Sequence, residues 1–505
     1  MSGLAVAFGD SGRNEINAIM RKIAHRGPYT SGVYENGRII MAQNYLQADG
    51  TTADGSNIPV RSSHNTDLAI CYDGQIGNWP ELTQRYDIPD GAYKEERLLL
   101  ALYEKYGLDM LRHLNDAIFT FVISDGKDLF AARDLLGIKT MFYGRKDDTL
   151  YLASELKAIL AVTDEVYEFP NGHYLDQSER FTRFAGLPQS PPRFWDYDVE
   201  KMAADIREII ERSFRNRIDF SVPTGGLLSG GMDSSVINYL ASKAYKKKHG
   251  QTARLKTFAL GVGESSDILS ARIMAEHIDS EHHELLVDLK QILEVLPEVI
   301  YYLESFDPSL VRSAVSNYLI SRYARDHGIQ ILLSGEGGDE IFCGYKYLEN
   351  YPADELFAKQ MECLGFLHNN ASLRLDRMNM CNSVRVVAPL ISGELLQYAM
   401  SIPPQYKQKP EGSGKMEKWI FRKAYEALLP ESILWRGKQE FSQGSGSAGV
   451  LPAHFEKQFS DQELTEAQAR YPIIRSKEEL YYFNVFTEHF GTDHTVATVG
   501  QWISL

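Results

Sequence analysis

The stretch LLSGGMDSSVINYL, residues 227–240, is apolar, then abruptly glycine and hydroxyl, then apolar again at helical spacing. A strand that stops on paired glycines and restarts as a helix leaves several backbone amides pointing into one concavity at a helix N-terminus, a natural seat for phosphate oxygens. Gly230 and Gly231 tolerate positive φ and leave room for a ligand against the backbone, and Ser229, Ser234 and Ser235 add hydroxyls. Asp233 would repel phosphate unless a cation lies between them, so its presence calls for Mg²⁺ shared between carboxylate and phosphate. The loop GxxxxGK[ST] occurs nowhere in the chain, so a grip built for γ-phosphoryl transfer is not expected. Taken alone, the SGG turn reads equally well as a glycine turn with a Ser or Asp helix cap.

A second loop tips that balance. SGEGGDE, residues 334–340, also follows an apolar strand (IQILL) and precedes a helical stretch, so both loops are expected at the same edge of one sheet, facing one ligand. Glu336, Asp339 and Glu340 lie among three glycines. That composition is awkward for packing and natural for metal and base chemistry.

The chain has 505 residues, 44% hydrophobic and 24% charged, enough for two or three globular domains. A formal charge of −15 gives no basic footprint, so neither nucleic acid nor an anionic membrane is expected as a partner. Cys71, Cys343, Cys363 and Cys381 are far apart without CxxC spacing, as expected of reduced thiols in cytoplasm. No run of about 18 apolar residues occurs and the N-terminus lacks a charged flank, so neither a membrane span nor export is expected. Up to about residue 180, short apolar or alternating runs (RIIMAQNYL, DLAICYDG, AIFTFVISDG, DLFAARD, TLYLASE) read as strands in succession, with helices in NEINAIMRKIAHR and KEERLLLALYEKYGLDMLRHL, an α+β texture. AGLPQSPPRFWDYD, residues 185–198, is the expected boundary, dividing the chain into 1–190 and 191–505. Beyond it, strand, glycine turn and helix alternate as in an α/β domain with a parallel sheet, and the last third is mainly helical.

SGGMDS resembles the pyrophosphate loop of the N-type ATP pyrophosphatases. With SGEGGDEIFCGY and GKMEKWIFRKAYEALLPESILWRGKQEFSQG, the chain resembles the glutamine-dependent asparagine synthetases, a likeness that runs on through HRGP, ARDLLGIK, LASELKAI and EFPNGHYL. The resemblance implies that residues 1–190 form an α+β Ntn-hydrolase-like sandwich of the class II glutamine amidotransferase type. Residues 191–505 would form an α/β ATP-pyrophosphatase (adenine nucleotide α-hydrolase-like) amide synthetase domain with a helical C-terminal part. It further implies a cytoplasmic, AMP-forming carbon–nitrogen ligase that uses ATP and Mg²⁺, with a small-molecule carboxylate and an amine or ammonia as partners, and a homodimer as an assembly open to it. In such a ligation the carboxylate attacks the α-phosphorus of ATP, and an amine then displaces AMP from the acyl adenylate. Carried over, Leu228, Ser229, Gly230, Gly231, Asp233, Ser234, Ser334 and Gly335 would bind ATP and pyrophosphate, with Mg²⁺ on Asp233 and Asp339. Lys438 would neutralise charge on the pentavalent phosphorus, Arg312 would contact phosphate or the adenylate, and Glu336 would deprotonate the amine.

The resemblance breaks in the first domain. The family's N-terminal cysteine nucleophile is matched by Ser2, and Tyr45 stands where the family has an arginine for the glutamine carboxylate. The oxyanion stretch Asn-Gly-Glu reads Asp73, Gly74, Gln75, and Glu95 only approximates an aspartate. A carboxylate at Asp73 opposes the oxyanion that an asparagine amide stabilises, so a retired glutaminase is expected. In DRMNMCNSVRVVAPLIS, residues 376–392, Arg385, Val387 and Ser392 replace the family's acid, base and acid, so free L-aspartate is expected to be a poor substrate, with a related amino acid or a larger acid preferred. The leading expectation is a ligase supplied with free ammonia or another amine. The alternatives are ammonia-dependent asparagine synthesis from L-aspartate, β-lactam-type ring closure, and a silent binding protein.

Overall fold

The computed structural model describes residues 2–502 apart from 11, 47–56, 90, 193–197, 412, 413 and 440, so part of the expected boundary segment lies outside the described residues. The chain forms two units. Met1–Leu187 with Phe490–Thr498 make the first, and Pro188–His489 with Val499–Leu505 the second.

In the first unit, two six-stranded antiparallel sheets bury one another's apolar faces. One runs in the order Val166–Glu168, Phe142–Lys146, Thr149–Ala153, Ser2–Phe8, Ile39–Tyr45, Thr30–Asn36. The other runs Phe181–Arg183, His173–Leu175, Leu129–Arg133, Ala117–Ser124, Ala69–Ile76, Val60–Arg61. Leu4, Val6, Met41 and Leu152 of the first sheet share a core with Ala69, Cys71, Val122 and Ala131 of the second. The strand Ser2–Phe8 is buried along its whole length because helix Arg13–Lys22 covers its other side. The expected helix in KEERLLLALYEKYGLDMLRHL stops at Tyr106, where Gly107 takes positive φ, and continues as a 3₁₀ turn to His113.

The second unit is built on a five-stranded, all-parallel sheet in the order Glu281–Val287, Lys256–Val262, Thr224–Leu227, Ile331–Leu333, Arg385–Val387. The chain leaves the central strand Thr224–Leu227 toward one edge and later returns to its other side at Ile331–Leu333. Ligands bind at such a switch point, beyond the carboxyl ends of the strands. Both glycine loops emerge there. The first leads into helix Met232–His249; the second leads only into the single turn Gly338–Ile341, shorter than its sequence suggests. The outer strands, EHHELLV and RVV, lack the flanking glycines that mark the others in the sequence. Among the described residues no helix is long and apolar enough to cross a membrane, and all four cysteines are free thiols.

The two loops touch through backbone. A Cβ on Gly335 would lie 2.5 Å from the Asp233 carbonyl carbon and from the Ser234 nitrogen, so glycine is demanded by close approach rather than by φ. Gly335→Ala is expected to cost about 1–3 kcal/mol by forcing the loops apart. Urea unfolding of the variant at wild-type stability would show that the loops are not in contact.

Candidate active site

A cleft of the second unit lies over this switch point. Ser229, Asp233 and Ser234 line it from the first loop, and Ser334, Gly335, Glu336 and Asp339 from the second. Lys418, Arg436 and Lys438 enter from the C-terminal part, and Arg374 from helix Ala371–Met380. In the first loop Ser234 Oγ donates to the Gly231 carbonyl (3.1 Å), and the Ser229 hydroxyl accepts from the Gly231 N–H (3.3 Å). Gly230 holds the turn with φ of 70° and faces the backbone of Ser270 rather than the cleft.

Asp233 and Asp339 converge on one cation. The Lys418 ammonium is ion-paired with Asp233 and lies 2.7 Å from Asp339 Oδ1, while Lys438 Nζ donates to Asp339 Oδ2 at 2.5 Å. Burial, with the charge of Asp339 added, pushes the Asp233 carboxyl up despite Lys418. Burial would raise Asp339 too, but Lys418 and Lys438 together hold it well below the usual carboxylate range. Burial alone would lower Lys438; facing Asp339 and Asp233, it is held firmly protonated. Glu336 is paired with Arg374. Arg436 bridges Asp267 (2.7 Å) and the Ser229 carbonyl (3.3 Å), tying the C-terminal segment to the phosphate loop.

Most residues singled out in the sequence therefore meet in one cleft, Leu228 among them. Arg312 does not. Helix Pro308–Asp326 turns Ser309, Ser313 and Asn317 to the cleft, while the Arg312 guanidinium is engaged by the Glu478 carboxylate, which also accepts from the Tyr482 hydroxyl. Arg385, Val387 and Ser392 are also absent from the lining. The first two belong to the edge strand Arg385–Val387, and Ser392 caps helix Gly393–Ser401 through the Leu395 N–H (3.3 Å). Lys418, Arg374 and the Arg436–Asp267 pair carry no signal of their own in the sequence. Lys418 lies in the stretch GKMEKWIF, where nothing local marks which lysine turns inward.

In the first unit the residues of the expected glutaminase site also gather. Ser2 pairs across the sheet with Tyr45, and its backbone N–H donates to Asp73 Oδ1 at 3.1 Å. Asp73 Oδ2 accepts from Arg26 (3.0 Å) and has the Lys139 ammonium at 3.6 Å. Ser2 is buried, and its hydroxyl has no hydrogen-bond partner among the described residues. Gly74 is closely packed, its would-be Cβ 2.5 Å from the Ile118 carbonyl oxygen. Gln75 is buried on the same strand. Tyr45 packs edge-on against Tyr93, and Glu95 accepts from the Tyr72 hydroxyl (2.7 Å) and the Ile76 N–H (3.3 Å).

The family profile described as Asparagine synthase matches residues 205–363 and 354–490, and the Glutamine amidotransferase domain profile matches residues 1–187. The glutamine-hydrolyzing asparagine synthetase B of Escherichia coli (strain K12) is 34% identical over 500 residues, covering 94% of this chain and 87% of the relative. The chain belongs to the asparagine synthetase family. A probable glutamine-hydrolyzing asparagine synthetase of Schizosaccharomyces pombe is 32% identical, covering 96% of this chain and 92% of the relative. One from Dictyostelium discoideum is 30% identical, with coverage of 97% and 93%. As a member of the asparagine synthetase family, this chain is an ATP-dependent carbon–nitrogen ligase carrying an amidotransferase-type first unit.

Beneath this synthetase's cleft lies a buried carboxyl whose surroundings favour its protonated form. Glu340, sealed behind Asp339, accepts from the Tyr345 hydroxyl (2.6 Å) and is pushed from 4.5 up to about 7 by burial first, then by Glu336 and Asp339. The folded state keeps this proton over a window in which the unfolded chain has lost it, so stability falls as pH rises from about 4.5 through 7. Glu340→Gln should flatten that fall. Urea midpoints at pH 5 to 8 with the same slope in both proteins would exclude Glu340 as its source.

Proposed function

We propose that this enzyme adenylates a small carboxylic acid with ATP and passes free ammonia, or another small amine, to the acyl adenylate without drawing nitrogen from glutamine. The observation that carries the second half is the bond from the Ser2 nitrogen to Asp73. A terminal-residue nucleophile needs its own amine as base and a nearby donor for the oxyanion. Here a carboxylate faces that nitrogen. It would keep an amine protonated, and its negative charge repels a developing oxyanion. The relatives are named as glutamine-hydrolyzing; this chain departs from them in the chemistry of that pocket.

The cleft of the second unit supports adenylation. The amides and hydroxyls of residues 229–234 suit a pyrophosphate, and Lys438 and Lys418 supply positive charge where it would leave. Asp233 and Asp339 offer hard oxygen donors drawn to one point, and Asp233 Oδ1 is buried without a hydrogen-bond partner among the described residues, a donor set that fits Mg²⁺. Bound there, Mg²⁺ would screen the carboxylates from the phosphates. Glu336, oriented by Arg374, is the group suited to take a proton from the attacking amine. L-Aspartate stays among the candidate acids. The altered residues Arg385, Val387 and Ser392 lie outside the cleft lining, so they give no ground for a changed acceptor.

Incubation with ATP, Mg²⁺, a panel of amino and dicarboxylic acids, and either ¹⁵N-ammonium or amide-¹⁵N-glutamine tests the proposal. AMP and pyrophosphate are expected rather than ADP, with label entering product from ammonium only. Glutamate release in step with amide formation would overturn the claim about glutamine. Ser2→Cys alone should not restore hydrolysis, because Asp73 remains.

Within the cleft, Lys438→Ala should lower the adenylation rate about 10²-fold or more, as when one donor to a developing charge is removed. Glu336→Gln should leave adenylate formation intact and slow its capture by amine. Unchanged amide formation in Glu336→Gln, followed by rapid quench, would remove Glu336 from the role of base.

A further inference from the structure

The cleft has two chemically different ends. Asp233, Asp339, Lys418, Lys438, Glu336 and Arg374 crowd one. The other is apolar, walled by Leu227, Leu228, Phe258, Ala259, Leu260 and Ile320. The two leucines end the central strand and enter the phosphate loop, and Phe258, Ala259 and Leu260 belong to the neighbouring strand Lys256–Val262. A nucleotide with its phosphates on residues 229–234 therefore has an apolar slot beside it, of the kind that takes a flat heteroaromatic ring.

Polar side chains from one helix also line the cleft. Helix Pro308–Asp326 presents Ser309, Ser313, Asn317 and Ile320 to the cleft, spaced as one helix face. Further along that helix Tyr323, and His327 just past its end, pack edge-on against Phe258, with ring centroids 6.2 and 5.8 Å away. The helix is thereby laid along the strand, and Asn317 and Phe258 line the same cleft. Asn317 is 3% exposed, and its Nδ2 has no hydrogen-bond partner among the described residues. Burying an amide donor unpaired is costly, and an aliphatic residue would avoid that cost at this position.

We infer that Asn317 reads the edge of the nucleotide's base, donating from Nδ2 to a ring nitrogen of adenine while the apolar walls hold the ring faces. Adenine presents a ring-nitrogen acceptor beside its exocyclic amine on both its Watson–Crick and Hoogsteen edges, the pattern that an asparagine amide matches. Asn317 is a specificity-determining residue for the nucleotide. This inference rests on the proposed reading of the cleft as an ATP site.

Equilibrium binding of ATP and of 1-deaza-, 3-deaza- and 7-deaza-ATP to the full chain in Mg²⁺, measured by titration calorimetry, tests it. Each analogue replaces one ring acceptor by C–H. In the wild type one analogue is expected to bind about tenfold more weakly than ATP, the loss of one hydrogen bond. Asn317→Leu should bind ATP about tenfold more weakly and show no further loss with that same analogue. Asn317→Ala should behave alike, which guards against misfolding of the leucine variant. Wild-type protein indifferent to all three deaza analogues, or variants that keep the full wild-type preference for ATP over them, would overturn the role of Asn317 while leaving the ATP site standing. A wild type that binds none of the four nucleotides would overturn the ATP reading itself.

Discussion

The second unit depends on holding two carboxylates, Asp233 and Asp339, at one point above a sheet whose own loops bring them there. Two such charges in a buried site repel, and each is costly to desolvate. Lys418 between them, with Lys438 beside Asp339, resolves the conflict. The arrangement needs glycine on both sides. A Cβ at Gly338 would lie 2.3 Å from Asp233 Oδ1, and one at Gly344 would lie 2.0 Å from Lys418 Cε. The glycines therefore do more than shape a phosphate nest. They let carboxylate and ammonium approach closely enough for the charges to compensate.

The first unit puts a similar cluster to the opposite use. Arg26, fully buried, donates to Asp73, to Glu155 and to the Ser2 carbonyl, and so ties three strands or loops through one guanidinium. Removing one partner from such a buried set leaves an uncompensated charge and costs about 3–5 kcal/mol. Asp73 is saturated by Ser2, Arg26 and Lys139. A carboxylate in that state stabilises the fold of the first unit.

Both loops, their common edge and the α/β character of the second unit were legible in the sequence. An apolar run that ends in glycines and acids can neither extend as a buried strand nor hide its charges, so it has to turn out at a sheet edge. Elements whose signal is tertiary were not legible. The strand Arg385–Val387 is three residues long, and it pairs only because Ile331–Leu333 offers an open edge. Phe490–Thr498 belongs with the first unit, which no local pattern announces. Arg312 shows the limit of carrying roles over by position. Its place in the sequence matches, yet a bidentate partner on a distant helix, Glu478, turns its side chain from the cleft.

Which polar atoms are satisfied separates the two sites more sharply than which residues are present. Buried polar groups are normally paired, so an unpaired one marks either strain or a partner that arrives later. In the cleft of the second unit, Asp233 Oδ1 at the charged end and Asn317 Nδ2 at the apolar end are both left unpaired. Among the described residues of the first unit the groups around Asp73 are largely bonded to one another, while the Ser2 hydroxyl, shut in at 1% exposure, and the Thr120 hydroxyl opposite Asp73 have no hydrogen-bond partner. The free energy that the second unit leaves unrealised for a ligand, the first unit has already spent on its own fold.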